Sequence, residues 1–473
     1  MTRIHPIAPG VGEPATVLGG KAHGLITLRR LGLPVPPGFV IGTAACRAFL
    51  RDGRLPDGLD AELAAAVAEL ESVTGRCLGG PVRPLVLAVR SGGAVSMPGM
   101  MNTILNLGLT ADATAALAAE TGDPEFAHDS RRRLLSSFAA TANGRDGSDA
   151  TGAGSPPDDA VRQLELAVRS VFASWNTPRA RTYRMVHGIP DESGTAVVVQ
   201  AMVFGNRDGR SGTGVAFSRD PGTGEPVPSG EVLFGGQGED VVSGRSSPLR
   251  LSELGDREPG VWAALVDALD RVEGHYRDAC HMEFTFESGA LWLLQVRAGG
   301  LSGRAAVRVA VELADAGVID RREAVRRVSP DDIRHARVPR LDTAGSDVLA
   351  RGVGASPGVA TGRVATTADR AVRMAADGPV VLVRPQTSPL DMHGLAAAAG
   401  VVTAVGGTTS HAAVVARSMG RPAVVGAAGL AVADGAVITI DGTSGEVVAG
   451  RGCTVATANP HLDRLLGWAR EVG

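Results

Sequence analysis

The chain has 473 residues, enough for about three domains with cores of their own, and its 47 basic and 50 acidic residues leave a net charge of −3. That balance, with aromatics at 3%, offers neither a basic face nor a stacking platform for nucleic acid, and no apolar run reaches membrane-spanning length. Cys46, Cys77, Cys280 and Cys453 are far apart with no CxxC pair, which supports neither a disulfide framework nor a zinc site. With no charged leader ahead of an apolar segment, the expected location is cytoplasmic.

Apolar residues fall at helical spacing from Lys21 to Leu31, and the proline-rich stretch Gly32 to Gly38 breaks that helix before the strand-like Phe39-Val40-Ile41. Leu85 to Arg90 reads as a buried strand that delivers Arg90 to a glycine- and methionine-rich loop, Ser91 to Met101. The Gly/Ser/Asp/Ala-rich stretch from Asn143 to Pro157 reads as a mobile surface spacer. A helix is expected over Asp158 to Trp175 and a central strand over Thr195 to Phe204. Met282 to Phe286 and Leu291 to Arg297 form a hairpin around the turn Glu287-Ser288-Gly289-Ala290. A helix follows near Arg304 to Ala316, and the polar stretch from Val328 to Asp347, with Pro330 and Pro339, suits a linker. Beyond Gly352, short Val/Ile-rich strands alternate with helices: Gly362 to Ala365, Val380 to Val383, Gly400 to Thr403 and Ala436 to Ile440.

Three sets of residues carry chemistry. The string Val405 to Gly420 (VGGTTSHAAVVARSMG) puts His411 where a glycine turn becomes an apolar helix that Thr409 or Ser410 can cap. Free N–H groups of a first helical turn favour a phosphoryl group, and neutral imidazole is a nucleophile near pH 7. An isolated histidine would more often simply begin a buried helix, so the surrounding string decides the matter. Lys21, in Gly19-Gly20-Lys21, is the sole lysine of the chain. A flexible ammonium is a point charge that an arginine fork does not reproduce, which points to a phosphate contact. Finally, strand alternation sets Gln295 and Arg297 on one face, with Glu283 on the neighbouring strand able to point the same way. Lys21, Arg90 and Arg297 supply positive charge, and Glu283 and Gln295 supply oxygens for a hard cation such as Mg²⁺ bridging phosphates.

The string around His411 resembles the phosphohistidine motif of the pyruvate, phosphate dikinase, phosphoenolpyruvate (PEP) synthase and enzyme I group. The likeness extends along nearly the whole chain through Gly19-Gly20-Lys21, Val89-Arg90-Ser91-Gly92, Ser96 to Leu109 (SMPGMMNTILNLGL), Ser211 to Phe217, Gln237 to Val242 and Gln295-Val296-Arg297. Met97-Pro98-Gly99-Met100-Met101 resembles the dikinases most. The resemblance implies an α/β and α+β multidomain protein: an ATP-grasp-type nucleotide-binding domain over 1–328 with a shortened helical insertion at about 107–195, a linker at 329–350, and a swivelling α/β phosphohistidine domain over 351–473. It implies ATP and inorganic phosphate as partners, Mg²⁺ held by Glu283 and Gln295, nucleotide contacts from Lys21, Arg90, Gln200, Met202 and Glu239, and catalytic roles for His411, Lys21, Arg90 and Arg297. The pattern is that of a short form without the C-terminal PEP/pyruvate barrel, so phosphate passes to pyruvate or another acceptor in trans. A separate PEP/pyruvate-binding protein and a homodimer both stay open. Two departures stand out: the family carries aspartate where this chain has His281, and arginine where it has Ala94. Two other functions remain open, a nucleotide-binding regulatory protein with weakened turnover and a PEP-synthase-like enzyme that uses water as second acceptor.

Overall fold

The computed structural model describes residues 2–472 apart from 96, 98, 143–155, 239, 241–247, 302, 338–339, 344–345, 409 and 456–457. The expected spacer at 143–157 therefore lies almost wholly outside the described residues, as do Glu239 and Thr409. The chain is a mixed α/β protein of two compact units, 1–204 with 292–296, and 205–291 with 297–473.

The first unit is built on a five-stranded sheet in the order Ile4–Pro6, Gly38–Ile41, Thr195–Ala201, Leu87–Gly93, Thr103–Leu107, antiparallel throughout. Thr195–Ala201 is flanked on both sides and six of its seven residues are buried, which accounts for its Val-Val-Val run. Helices Leu59–Thr74 and Ala160–Ser174 add Leu63, Leu70, Leu164, Val168 and Phe172 to the core that this sheet shares. The expected single strand from Leu85 to Arg90 is instead two, Pro84–Leu85 and Leu87–Gly93; between them the Val86 carbonyl accepts from the Met202 N–H at 2.8 Å, one step on from the pairing of Leu87 with Ala201.

Helix Ala15–Arg30 starts earlier than its apolar spacing suggests and is kinked at Gly19, whose φ is +75°. The cause is long-range. A Cβ at Gly19 would lie 1.6 Å from the Gly92 carbonyl oxygen, so the helix comes this close to the strand only through glycine. Gly19→Ala imposes both the left-handed backbone and the clash, and is expected to cost about 2 kcal/mol or more, read as a lower thermal midpoint of the first unit. An unchanged midpoint would refute the packing argument.

A second five-stranded sheet runs Leu249–Arg250, Ser229–Phe234, Gly212–Phe217, Cys280–Glu287, Ala290–Ala298, all of it in the second unit except residues 292–296 of the last strand. Ser288 and Gly289, at φ 49° and 80°, form the two-residue turn of the expected hairpin. On one face Phe284 and Phe286 cover Gly214 and Gly212, where a Cβ would come within 2.7 and 2.5 Å of the rings. An eight-stranded sheet follows, ordered Val348–Arg351, Glu446–Ala449, Val437–Asp441, Val359–Ala365, Val380–Arg384, Gly400–Thr403, Ala423–Val425, Val353–Ser356. Its middle strands, Val359–Ala365 through Ala423–Val425, are parallel. Apolar clusters such as Leu382, Val401 and Ala413, and Val381, Val402 and Ile440, draw on alternating positions of the same strands, which explains their unbroken Val/Ile runs.

The stretch expected as linker contains a helix, Pro330–Ala336, opened by a capping box between Ser329 and Asp332. Strand Arg340–Asp342 pairs antiparallel with Cys453–Val455, and the helix Pro460–Val472 packs Leu462, Leu465 and Trp468 among Val307, Val311 and Ala324. Among the described residues, no helix is long and apolar enough to cross a membrane.

Candidate functional site

Lys21, Arg90, Gln200, Met202 and Gln295 fall in the first unit, and Glu283, Arg297 and His411 in the second. In the first unit the Gly19 kink sets Lys21 against the strand: a Cβ at Gly92 would lie 3.4 Å from Lys21 Cβ. The chain's one lysine thus roots its side chain beside the strand that carries Arg90. Arg90 is tied by its Nη1, which donates to the Leu294 carbonyl at 2.8 Å. Gln200 is 2% exposed, donates from Nε2 to the Pro36 carbonyl at 3.1 Å, and has a buried Oε1 with no hydrogen-bond partner among the described residues. Met202 packs at the margin of the core, and Gln295, 4% exposed, likewise holds a buried Nε2 without a partner among the described residues. Buried amide atoms left unpaired are uncommon and ask for a missing partner. The Met-Pro-Gly-Met-Met loop is anchored where sequence gave no hint. Asn102 donates to Ser170 Oγ at 3.0 Å and accepts from Arg179, which also donates to the Met100 carbonyl at 3.1 Å.

In the second unit, His411 opens the helix His411–Ser418, the element that follows the parallel strand Gly400–Thr403; Ser410 holds the N-cap position but, against expectation, its hydroxyl makes no cap hydrogen bond, and Thr409 lies outside the described residues. Open α/β sheets bind ligands outside the carboxyl ends of their parallel strands, and this imidazole occupies such an end. The loop that leaves the adjacent strand, Val380–Arg384, brings Thr387 Oγ1 to 3.2 Å from His411 Nδ1. An Nδ1–H donated to that hydroxyl leaves the lone pair on Nε2, which is buried with no partner among the described residues. Burial pulls the imidazole below its ordinary pKa of 6.5, while the Asp391 carboxylate pushes the other way. The ring is therefore neutral at pH 7.

Glu283, Val215 and Glu231 lie in register across three neighbouring strands, so they project from one face of the five-stranded sheet, as do His281 and Phe217 one step along. The loop ahead of His411 rests on this face. Both the backbone N–H and the hydroxyl of Thr408 donate to Glu231 Oε1, the hydroxyl at 3.0 Å. A Cβ at Gly407 would lie 1.8 Å from the same oxygen, so a side chain there would displace the carboxylate, while Gly406 stands at φ 106°, which favours glycine. Arg417, on the histidine helix, donates to the Thr408 and Ala355 carbonyls; burial lowers its pKa to about 10, with Glu231 opposing. His281 is pulled down to about 4 by burial, with Arg297 and Arg417 acting the same way and Glu283 opposing. Thr387, Glu231 and Arg417 are thus functional neighbours that sequence reasoning missed. Glu239 lies outside the described residues.

The family described as pyruvate phosphate dikinase, AMP/ATP-binding domain, matches residues 15–76 and 51–259, and that of the PEP-utilising enzyme, mobile domain, matches residues 376–445, which contain both Thr387 and His411. The pyruvate, phosphate dikinase of Rhizobium meliloti is 40% identical over 98% of this chain, pyruvate, phosphate dikinase 2 of Zea mays 41% over 96%, and the chloroplastic pyruvate, phosphate dikinase 1 of Arabidopsis thaliana 38% over 97%. The chain belongs to the pyruvate, phosphate dikinase family. It spans 59%, 58% and 53% of the lengths of those three dikinases. The dikinase likeness thus covers the unit that holds Lys21 and Arg90 as well as the sheet that presents His411.

Proposed function

We propose that this chain carries out the nucleotide half-reaction of a dikinase, with His411 as the phosphoryl carrier. The observation that carries this reading is His411 Nε2, a nitrogen without a partner among the described residues, on a neutral ring whose Nδ1 meets Thr387. Its loop rests on the sheet face that also presents Glu283. In the first step Nε2 attacks the β-phosphorus of ATP. An N–P bond forms, the bond to the α,β-bridging oxygen breaks, and AMP departs with that electron pair. In the second, an oxygen of inorganic phosphate attacks the terminal phosphorus, the β,γ-bridge breaks on that side, and pyrophosphate leaves phosphohistidine behind. Lys21, Arg90 and Arg297 neutralise the phosphate oxygens as charge shifts, which is the main protein contribution in such transfers. Gln200 and Met202 line the adenine side, with Glu239 in the same nucleotide site.

Among the described residues no three His, Cys, Asp or Glu side chains cluster as a metal cage. A cation that bridges phosphates needs only one or two protein oxygens, and Glu283 with the Gln295 amide suits that role. Once bound, it neutralises phosphate charge. We assign the ATP-grasp-type architecture to 1–328, a linker to 329–350 and the swivelling phosphohistidine domain to 351–473. Because Nε2 is buried in this arrangement, attack on ATP and transfer to an acceptor both require the ring to be uncovered first. That acceptor is pyruvate bound on a separate protein, or another small molecule.

The test is nucleotide turnover with purified chain, ATP, Mg²⁺ and phosphate. AMP should form with ATP alone, up to one per chain, and pyrophosphate only once phosphate is added; no AMP under any cation would reject the proposal, and orthophosphate released from the γ position without added phosphate would assign water as second acceptor. The acid limb of the rate should lie below 6.5, because protonation removes the nucleophile and burial lowers the pH at which that happens. A limb at or above the ordinary imidazole value would contradict the neutral-ring argument.

A further inference from the structure

On strand Cys280–Glu287, His281 and Glu283 alternate with the buried Met282, so imidazole and carboxylate leave the sheet on the same side, two residues apart. They are close enough to act on each other electrically. His281 is half-buried, and its ring lies against that of Phe217, its in-register neighbour, tilted by 33° with centroids 5.3 Å apart. Neither ring nitrogen has a hydrogen-bond partner among the described residues. A structural histidine in a sheet ordinarily donates to a carbonyl or carboxylate; this one holds an open nitrogen beside a carboxylate.

Beside the oxygens of Glu283 and Gln295, an imidazole nitrogen makes the set poorer for Mg²⁺, which is small and hard and keeps oxygen ligands. Nitrogen donors favour later divalent ions, and Mn²⁺ accepts both nitrogen and the phosphate oxygens that would complete its shell. We propose that His281 and Glu283 together bind the nucleotide-bridging cation and that His281 turns its selectivity from Mg²⁺ towards Mn²⁺. The inference rests on the nucleotide-site reading above. It makes His281 a specificity-determining ligand and gives the departure from aspartate a chemical purpose.

The experiment uses the full chain carrying His411→Ala, which holds ATP without transferring it and removes the other candidate imidazole. Mn²⁺ and ATP are added, bound nucleotide is measured by equilibrium dialysis, and pulsed electron paramagnetic resonance on the same sample reads nitrogen coupling to Mn²⁺. Protein labelled with [¹⁵N]histidine should change the coupling pattern from that of ¹⁴N to that of ¹⁵N. His281→Asp should abolish it and shift the ratio of Mn²⁺ to Mg²⁺ affinity by about 10- to 100-fold towards Mg²⁺. Bound nucleotide and Mn²⁺ with no histidine coupling overturn the cation assignment alone. Failure of nucleotide to bind overturns the parent reading and this assignment with it.

Discussion

Replacing His411 with alanine should abolish phosphoprotein formation from ATP while leaving nucleotide binding intact. Wild-type chain given [β-³²P]ATP without phosphate should retain label on protein in an acid-labile, base-stable form, as expected of a phosphoramidate. Adding phosphate should preserve that label but release label introduced at the γ position as pyrophosphate. The two labels separate a pyrophosphoryl from a phosphoryl intermediate with no other change in conditions. The substitution is structurally mild, because His411 stands at the first helical position and Ala412, Ala413 and Ala416 pack the buried side of the helix. Label that persists in His411→Ala, or moves to another side chain, would end the proposal. Thr387→Val offers a graded companion: loss of the hydroxyl at Nδ1 frees the ring to take either tautomer, so labelling should slow by about 10-fold while ATP affinity holds.

Lys21→Ala should lower AMP formation by about 10²- to 10³-fold, the scale for removing one preorganised charge donor from a transferring group. Lys21→Arg should restore only part of this. The lysine stem runs beside Gly92, and the approach of Gly19 to the same residue leaves little latitude for a planar guanidinium to find a new path. Binding of ATP should weaken less than turnover falls, because the ammonium matters most as charge redistributes among the phosphate oxygens. Near wild-type turnover in Lys21→Ala would remove Lys21 from the site and leave its singular place in the composition without a chemical reason.

What the sequence disclosed follows from which signals are local. Strands Val380–Arg384 and Gly400–Thr403 were readable because a parallel sheet covered on both faces demands continuous Val/Ile runs. The Glu287 to Ala290 turn was readable because a Ser-Gly pair between two apolar runs marks a turn and Gly289 accepts positive φ freely. His411 was readable because glycine turn, cap and helix all lie within one short string. Gly19 showed that a glycine was present but not why, since its partner is Gly92 on a distant strand. Thr387 and Glu231 carry no periodic signal, and each reaches the His411 region through sheet order or packing between sheets. Thr387 could have been suspected from its place just beyond a parallel strand that adjoins the one leading to His411. The helix at Pro330–Ala336 was hidden by its polarity, although Ser329 and Asp332 announced its first turn.

The paired strands Arg340–Asp342 and Cys453–Val455 make the eight-stranded sheet a loop whose two feet are stitched together. From Ala449 to Cys453 the chain has four residue steps, which even fully extended reach only about 14 Å. If the sheet that carries His411 moves as a body during the proposed transfer, so short a return to the paired strands favours rotation over free travel, and a cross-link between the paired residues Asp342 and Cys453 should slow discharge of the histidine.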